Sequence, residues 1–273
     1  MTPGSEVPRL HLMRLRFYGT KGYVDASSRS HAGHSAFTVE AAGFRLLCDF
    51  GENRRGRLAR IAPDAVFVSH AHPDHAWGLA KGTDVPVLAS EISHALMSEF
   101  PISARVRAVP GAARAVGPFR VTTFEVVHSI RCPCVAARIE TPEGTIVYSG
   151  DIVSFESAAA RDRALEGADV YVGDGSTLTA SLVRRHGSGA LVGHTTIRAQ
   201  LGWLGNASVP AAVFSHFGEE PIAMGDRSLK AAIQELAAKA APDCRVLVAR
   251  DGFEVEFPGR AERPGAPERV LRP

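Results

Sequence analysis

The chain has 273 residues, 45% hydrophobic and 22% charged, the balance of an ordinary globular protein with enough apolar surface for one stable core. A formal net charge of +2 offers no global field for nucleic acid, so any basic binding surface has to be local. Cys48, Cys132, Cys134 and Cys244 form neither a disulfide framework nor a zinc knuckle. They read as reduced thiols of a cytoplasmic protein, and no apolar run approaches the roughly twenty residues of a membrane helix.

Residues 1–9 are polar with two prolines and read as a flexible end. Residues 10–18 alternate apolar with polar side chains and predict a strand, closed by Gly19-Thr20-Lys21-Gly22 and followed by a Ser-, Arg- and Gly-rich loop to His34. Strands over 35–40 and 44–50 flank a turn at Ala42-Gly43, and the second ends in Asp49. A short helix is expected over 54–61, then a strand over 64–69 that delivers His70, His72, Asp74 and His75. Four metal-competent side chains in six residues are a strong signal. Extended geometry lets His70 and His72 share one cation while Asp74 and His75 turn toward a second position.

A helix is expected from Ala76, a buried strand over 85–88, and a helix over 91–100 with Ile92, Leu96 and Met97 on its inner face. Strands follow over 106–110 and 119–127, the second delivering His128. A hairpin pairs 135–139 with 145–148 and leads to Asp151. A helix over 157–165 and a strand over 168–173 precede Asp174-Gly175-Ser176; Gly193-His194-Thr195 opens a helix over 197–204. A strand over 211–215 delivers His216. An amphipathic helix over 228–239 turns Leu229, Ile233 and Leu236 inward, and strands over 245–249 and 253–257 form a last hairpin. Pro, Arg, Glu and Gly dominate the tail, which reads as disordered. One domain is expected over residues 10–258, with a disordered tail at 259–273.

His70-x-His72-x-Asp74-His75 after an apolar strand resembles the signature of the metallo-β-lactamase superfamily, and nearly all of residues 10–258 resemble its ribonuclease Z-like phosphodiesterases. The resemblance implies an α/β fold, the αβ/βα four-layer sandwich, with two divalent cations at one edge. It implies that His70, His72 and His128 hold one cation, that Asp74, His75 and His216 hold the other, and that Asp151 bridges them. Asp49 matches a carboxylate that orients the metal loop without binding metal; from the residues alone it could equally cap the helix that follows. His194, coupled to Asp174, is implied to face the scissile phosphate, with Ser176 and Arg198 as further candidate phosphate contacts. Asp174 stands where the family tends to have the longer glutamate. Nitrogen and oxygen donors suit Zn²⁺ and tolerate Mn²⁺ or Fe²⁺.

The expected function is therefore hydrolysis of a phosphodiester, at an RNA or DNA end or in a small cyclic nucleotide, with Asp74, His194 and Asp174 as catalytic groups. The long Gly/Pro-rich arm by which ribonuclease Z grips tRNA has no counterpart here, so tRNA 3′ processing is not implied. The same cations could polarise a carboxylic ester, lactone or thioester. A non-catalytic metal-binding module is a third reading, although no ligand of the signature is missing. Arg29, His31, His34, Arg184, Arg185 and His186 are either phosphate contacts or solvated loop charges. By analogy the protein forms a homodimer, with no membrane partner.

Overall fold

The computed structural model describes residues 12–259; the flexible end expected at 1–9 and the tail beyond 259 lie outside the described residues. The first half forms β1 (Leu12–Gly19), β2 (Ala36–Ala41), β3 (Phe44–Cys48), α1 (Leu58–Ile61), β4 (Ala65–Phe67), α2 (Pro73–Ala76), β5 (Val87–Ser90), α3 (Glu91–Leu96) and β6 (Arg105–Ala108). The second half begins with β7 (Ala113–Val116), β8 (Phe119–Val127), β9 (Cys134–Glu140), β10 (Thr145–Tyr148), β11 (Ser154–Phe155), α4 (Ala158–Leu165) and β12 (Val170–Asp174). It continues through β13 (Arg184–Arg185), β14 (Leu191–Val192), α5 (Ile197–Asn206), β15 (Ala211–Ser215), α6 (Glu219–Met224), α7 (Asp226–Ala240), β16 (Arg245–Val248) and β17 (Glu254–Pro258).

Two sheets result. The first runs β17-β1-β2-β3-β4-β5-β6, the second β11-β8-β9-β10-β12-β15-β16, with β7 paired to β8. Alternation along each strand decides the layers. Leu46, Cys48, Ala65 and Phe67 of the first sheet meet Val170, Val172, Ala211 and Val213 of the second in the central core. Their neighbours point the other way. Leu47, Val66 and Val68 pack with Ile61 and Met97 beneath the short helices, while Tyr171, Ala212 and Phe214 pack against α5 and α7. Helix, sheet, sheet and helix stack as the expected αβ/βα sandwich. Strands β3 and β4 are parallel, as are β10, β12 and β15, so their carboxyl ends open on one edge, where ligand sites of such sheets form.

Several expected elements differ. The last two strands are not a hairpin: β16 joins β15 in the second sheet while β17 pairs with β1 in the first, because each strand finds an unpaired edge on a different layer. Ile92 and Leu96 are exposed on α3 and only Met97 is buried; the helix is one and a half turns long and lies along the sheet margin. The helix expected over 54–61 breaks into a 3₁₀ turn, Glu52–Arg54, and the single turn α1. α2 starts at Pro73 rather than after His75, so Asp74 and His75 ride on its first turn. Strands β7, β11, β13 and β14 were not expected. Among the described residues no helix is long and apolar enough to cross a membrane.

Candidate metal centre

The carboxyl ends of β3, β4, β8, β10, β12 and β15 carry Asp49, the His70–His75 turn, His128, Asp151, Asp174 and His216 to that edge. His70 Nε2 lies 2.9 Å from His72 Nδ1, and His128 Nε2 lies 3.3 Å from the same atom. Asp151 Oδ2 closes this group at 3.7 Å from His70 Nε2 and 3.5 Å from His128 Nε2. A second group forms beside it. His75 Nε2 and His216 Nε2 lie 3.5 and 3.1 Å from Asp74 Oδ2, and 3.1 and 3.3 Å from Asp151 Oδ1. Asp151 thus offers one oxygen to each group.

These spacings fit divalent cations. Ligand bonds of about 2.0–2.1 Å in a tetrahedron put neighbouring donors about 3.3 Å apart, close to the separations in both groups. Two buried atoms, His75 Nε2 and Asp151 Oδ1, lie 3.1 Å apart and have no hydrogen-bond partner. An unsatisfied buried group costs about 1–3 kcal/mol, and a cation in the second group would satisfy both.

In four of the five rings, those of His70, His75, His128 and His216, the other nitrogen is held from behind, which fixes tautomer and orientation. Asp49 Oδ1 accepts from the Ser69 amide at 2.7 Å. Its Oδ2 accepts from the Ser69 hydroxyl, from His75 Nδ1 and from the Tyr148 hydroxyl at 2.7, 2.7 and 2.6 Å; Ser69 Oγ in turn lies 3.0 Å from His70 Nδ1. The 3₁₀ turn has no side-chain cap, so Asp49 serves the turn of histidines and not the following helix. His128 Nδ1 donates to the Gly193 carbonyl at 3.0 Å. Asp174 Oδ2 accepts from His194 Nδ1 at 2.8 Å and from the Ile152 amide at 3.1 Å, while Oδ1 takes the Ser176 amide and hydroxyl. Ser176 Oγ is 3.1 Å from His216 Nδ1, extending the Asp174 carboxylate to a second ring.

Backbone geometry at two of these positions is left-handed, with φ of 56° at Asp49 and 58° at His216. For a residue with a β-carbon this costs about 1–2 kcal/mol, so the surroundings must impose it. Around His216 they do. Phe217 donates to the Thr20 carbonyl at 2.7 Å and accepts from the Gly22 amide at 3.0 Å. Gly22 lies flat on the His216 ring, where a β-carbon would sit 2.9 Å from Cε1. This loop is secured in turn by Asp251, between β16 and β17, which accepts from the Thr20 hydroxyl, the Ala32 and Gly33 amides and Arg54.

Charge follows from the same contacts. Burial wins at His70, held well below the ordinary histidine range, and at His128, pushed down to about 4. At His75 burial is outweighed by Asp151, Asp74 and Asp49, and at His216, lifted to about 10, by Asp151, Asp174 and Asp74. Asp151 stays well below the carboxylate range because His216, His75 and His128 overcome its burial. His194 is raised: burial opposes its charge, but Asp174 prevails. The carboxylates therefore favour positive charge at His75, His216 and His194, and burial disfavours it at His70 and His128.

A cavity of about 940 Å³ opens over both groups, with Asp74, His194 and Ser176 in its wall. Arg198, expected at the phosphate, is exposed on α5 and outside that wall. Ser176 is in the wall, but its hydroxyl is committed to Asp174. His31 and His34 are buried in the first loop, His31 against Thr20 at 2.8 Å, and neither they nor Arg29 and Arg185 line the cavity. Arg184 and His186 do, joined by Tyr23, Ile130, Arg131 and Leu182. The period-two spacing of Leu182, Arg184 and His186 was the available signal for three of these.

Fold and cluster together define a class: α/β sandwich proteins that gather histidines and aspartates at one edge of two facing sheets. The particular family is the beta-lactamase superfamily, to which the chain belongs; residues 44–217 match the model of its domain. Ribonuclease Z of Methanopyrus kandleri is 33% identical over 146 residues, 47% of this chain and 50% of that protein, so the chain spans half the length of this relative. The metallo-beta-lactamase fold protein YhfI from Bacillus subtilis superposes with a TM-score of 0.69 at 18% identity, over 90% of this chain and 100% of YhfI. The short form of human tRNase Z gives 0.64 at 16% identity, again over 90% and 100%. At those identities the two structures establish likeness of fold alone.

Proposed function

We propose that the protein is a metal-dependent phosphodiesterase that acts on a nucleic-acid end or a small cyclic phosphodiester. In this reading His70, His72 and His128 seat one divalent cation, Asp74, His75 and His216 seat the other, and Asp151 serves both; the donors suit Zn²⁺, with Mn²⁺ or Fe²⁺ tolerated. When bound, such cations polarise the phosphoryl group and acidify an attacking water. Asp74 commits Oδ2 to the second group, and its other oxygen orients that water and takes its proton. Asp174 occupies His194 Nδ1, which leaves Nε2 to meet the phosphate or to protonate the leaving oxygen. Four free cysteines fit a reducing, cytoplasmic setting.

The observation that carries this reading is the His194–Asp174 pair, 2.8 Å apart and packed against the donor cluster, with the His194 ring 4.9 Å from that of His128 and 5.6 Å from that of His216. It supplies the anion contact and proton donor that a departing phosphate ester requires. The ribonuclease relative supports the same chemistry. Zinc-loaded protein should turn over bis-p-nitrophenyl phosphate in preference to a panel of lactones, carboxylic esters and thioesters. Efficient lactone opening with the diester left intact would overturn it.

A further inference from the structure

The cavity wall holds more than the reacting groups, and its outer part has a consistent chemistry. Leu182, Arg184 and His186 alternate along one arm of the β13–β14 hairpin and all face the cavity. The hairpin is anchored at its base: Gly193 donates to the His128 carbonyl at 2.9 Å and accepts from His128 Nδ1 at 3.0 Å. Only glycine fits there, at φ 110° with the Leu182 carbonyl 2.2 Å from where a β-carbon would be. Facing the hairpin are Ile130 and Arg131, just after His128, and Tyr23, on the loop that covers His216.

Three of these side chains are apolar and exposed: Tyr23 at 65%, Ile130 at 47% and Leu182 at 46%. The charges separate by commitment. Glu219 accepts from the Asp25 and Ala26 amides, and Glu220 from Thr177 and the Leu178 amide, so the two glutamates of the outer wall fasten loops, while Asp74 and Asp151 belong to the donor cluster. The guanidinium groups of Arg131 and Arg184 have no such partner among the described residues. An exposed aromatic ring on a pinned loop, flanked by aliphatic side chains and two uncommitted guanidinium groups, is the combination that receives an unpaired base and its phosphate.

We infer that this outer wall is a binding site for the single-stranded end of a nucleic acid, with an unpaired base against Tyr23, Ile130 and Leu182 and a flanking phosphate on Arg131 and Arg184. The inference rests on the phosphodiesterase reading and narrows it from any small diester to a strand end. A paired base cannot splay onto side chains in this way.

Binding is measured apart from turnover, by fluorescence anisotropy of a 5′-labelled single-stranded RNA octamer with phosphorothioate linkages on the zinc-loaded protein. Tyr23→Ala should raise Kd at least about fivefold while Tyr23→Phe keeps it, because stacking needs the ring and not the hydroxyl. Arg131→Ala and Arg184→Ala should each raise Kd and flatten its dependence on salt by about 0.7 in the log–log slope. Arg198→Ala, outside the wall, should leave binding unchanged, and the same octamer in a duplex should bind more weakly. Equal losses at Arg198 and Arg184, equal binding of duplex and single strand, or no effect at Tyr23 would overturn the inference. Loss of diester turnover with these binding results intact would instead overturn the proposed chemistry.

Discussion

The two sheets build their shares of the centre in different ways. The first sheet delivers His70, His72, Asp74 and His75 from one turn, whereas the second delivers His128, Asp151, His194 and His216 from separate strand ends and loops. Each share has a buried carboxylate behind it, and the two differ in reach. Asp49 binds the histidine turn and also the Tyr148 hydroxyl of the opposite sheet. Asp174 binds Ile152, Ser176 and His194, all in its own half. One carboxylate therefore joins the halves as well as orienting rings, and the other only orients. Damage behind the first share should spread to both cation positions, and damage behind the second should stay local.

The strongest test removes the residue common to both shares. Asp151→Ala should lose both equivalents of zinc by elemental analysis and take diester turnover below detection; a variant that kept two equivalents would break the two-position geometry. His194→Ala comes next. It should keep its zinc and lose about 10² to 10³ in turnover, the usual effect of removing a transition-state donor, and unchanged turnover would remove His194 from the chemistry. Asp49→Asn should weaken zinc binding about 10- to 100-fold at both positions, and lower unfolding stability by about 1–3 kcal/mol because buried donors lose their acceptor. Asp174→Asn should be mildest in chelator competition, loosening one equivalent about tenfold and sparing the other. If both variants release both equivalents in parallel, the contrast between the halves fails.

The same contrast explains what could be read from the chain. The histidine turn was legible because its donors are contiguous and follow a β run. His128, Asp151 and His216 each end a strand, and their order along the chain, set beside a known signature, singled them out. The spatial link from Asp174 through Ser176 to His216 was not legible, since it depends on β12 lying beside β15. Arg198 looked suitable because it follows His194 closely, but the first turn of α5 carries it out of the cavity. The alternation of Leu182, Arg184 and His186 runs beyond the two residues of β13, and a strand that short does not stand out as an element among the loop residues around it. The final strands misled for another reason: adjacency in sequence suggests a hairpin, yet sheet pairing is decided by which edges remain open.

Asp251 sits in the crossing between those final strands and grips the loop that places Gly22 on His216. The latest-made part of the sandwich thus finishes a pocket whose reactive groups were all synthesised earlier. A polypeptide that stopped at the end of β16 would contain every proposed cation ligand and still lack the clasp over its last imidazole. Completion of the pocket therefore depends on a crossing that contributes no donor of its own to it.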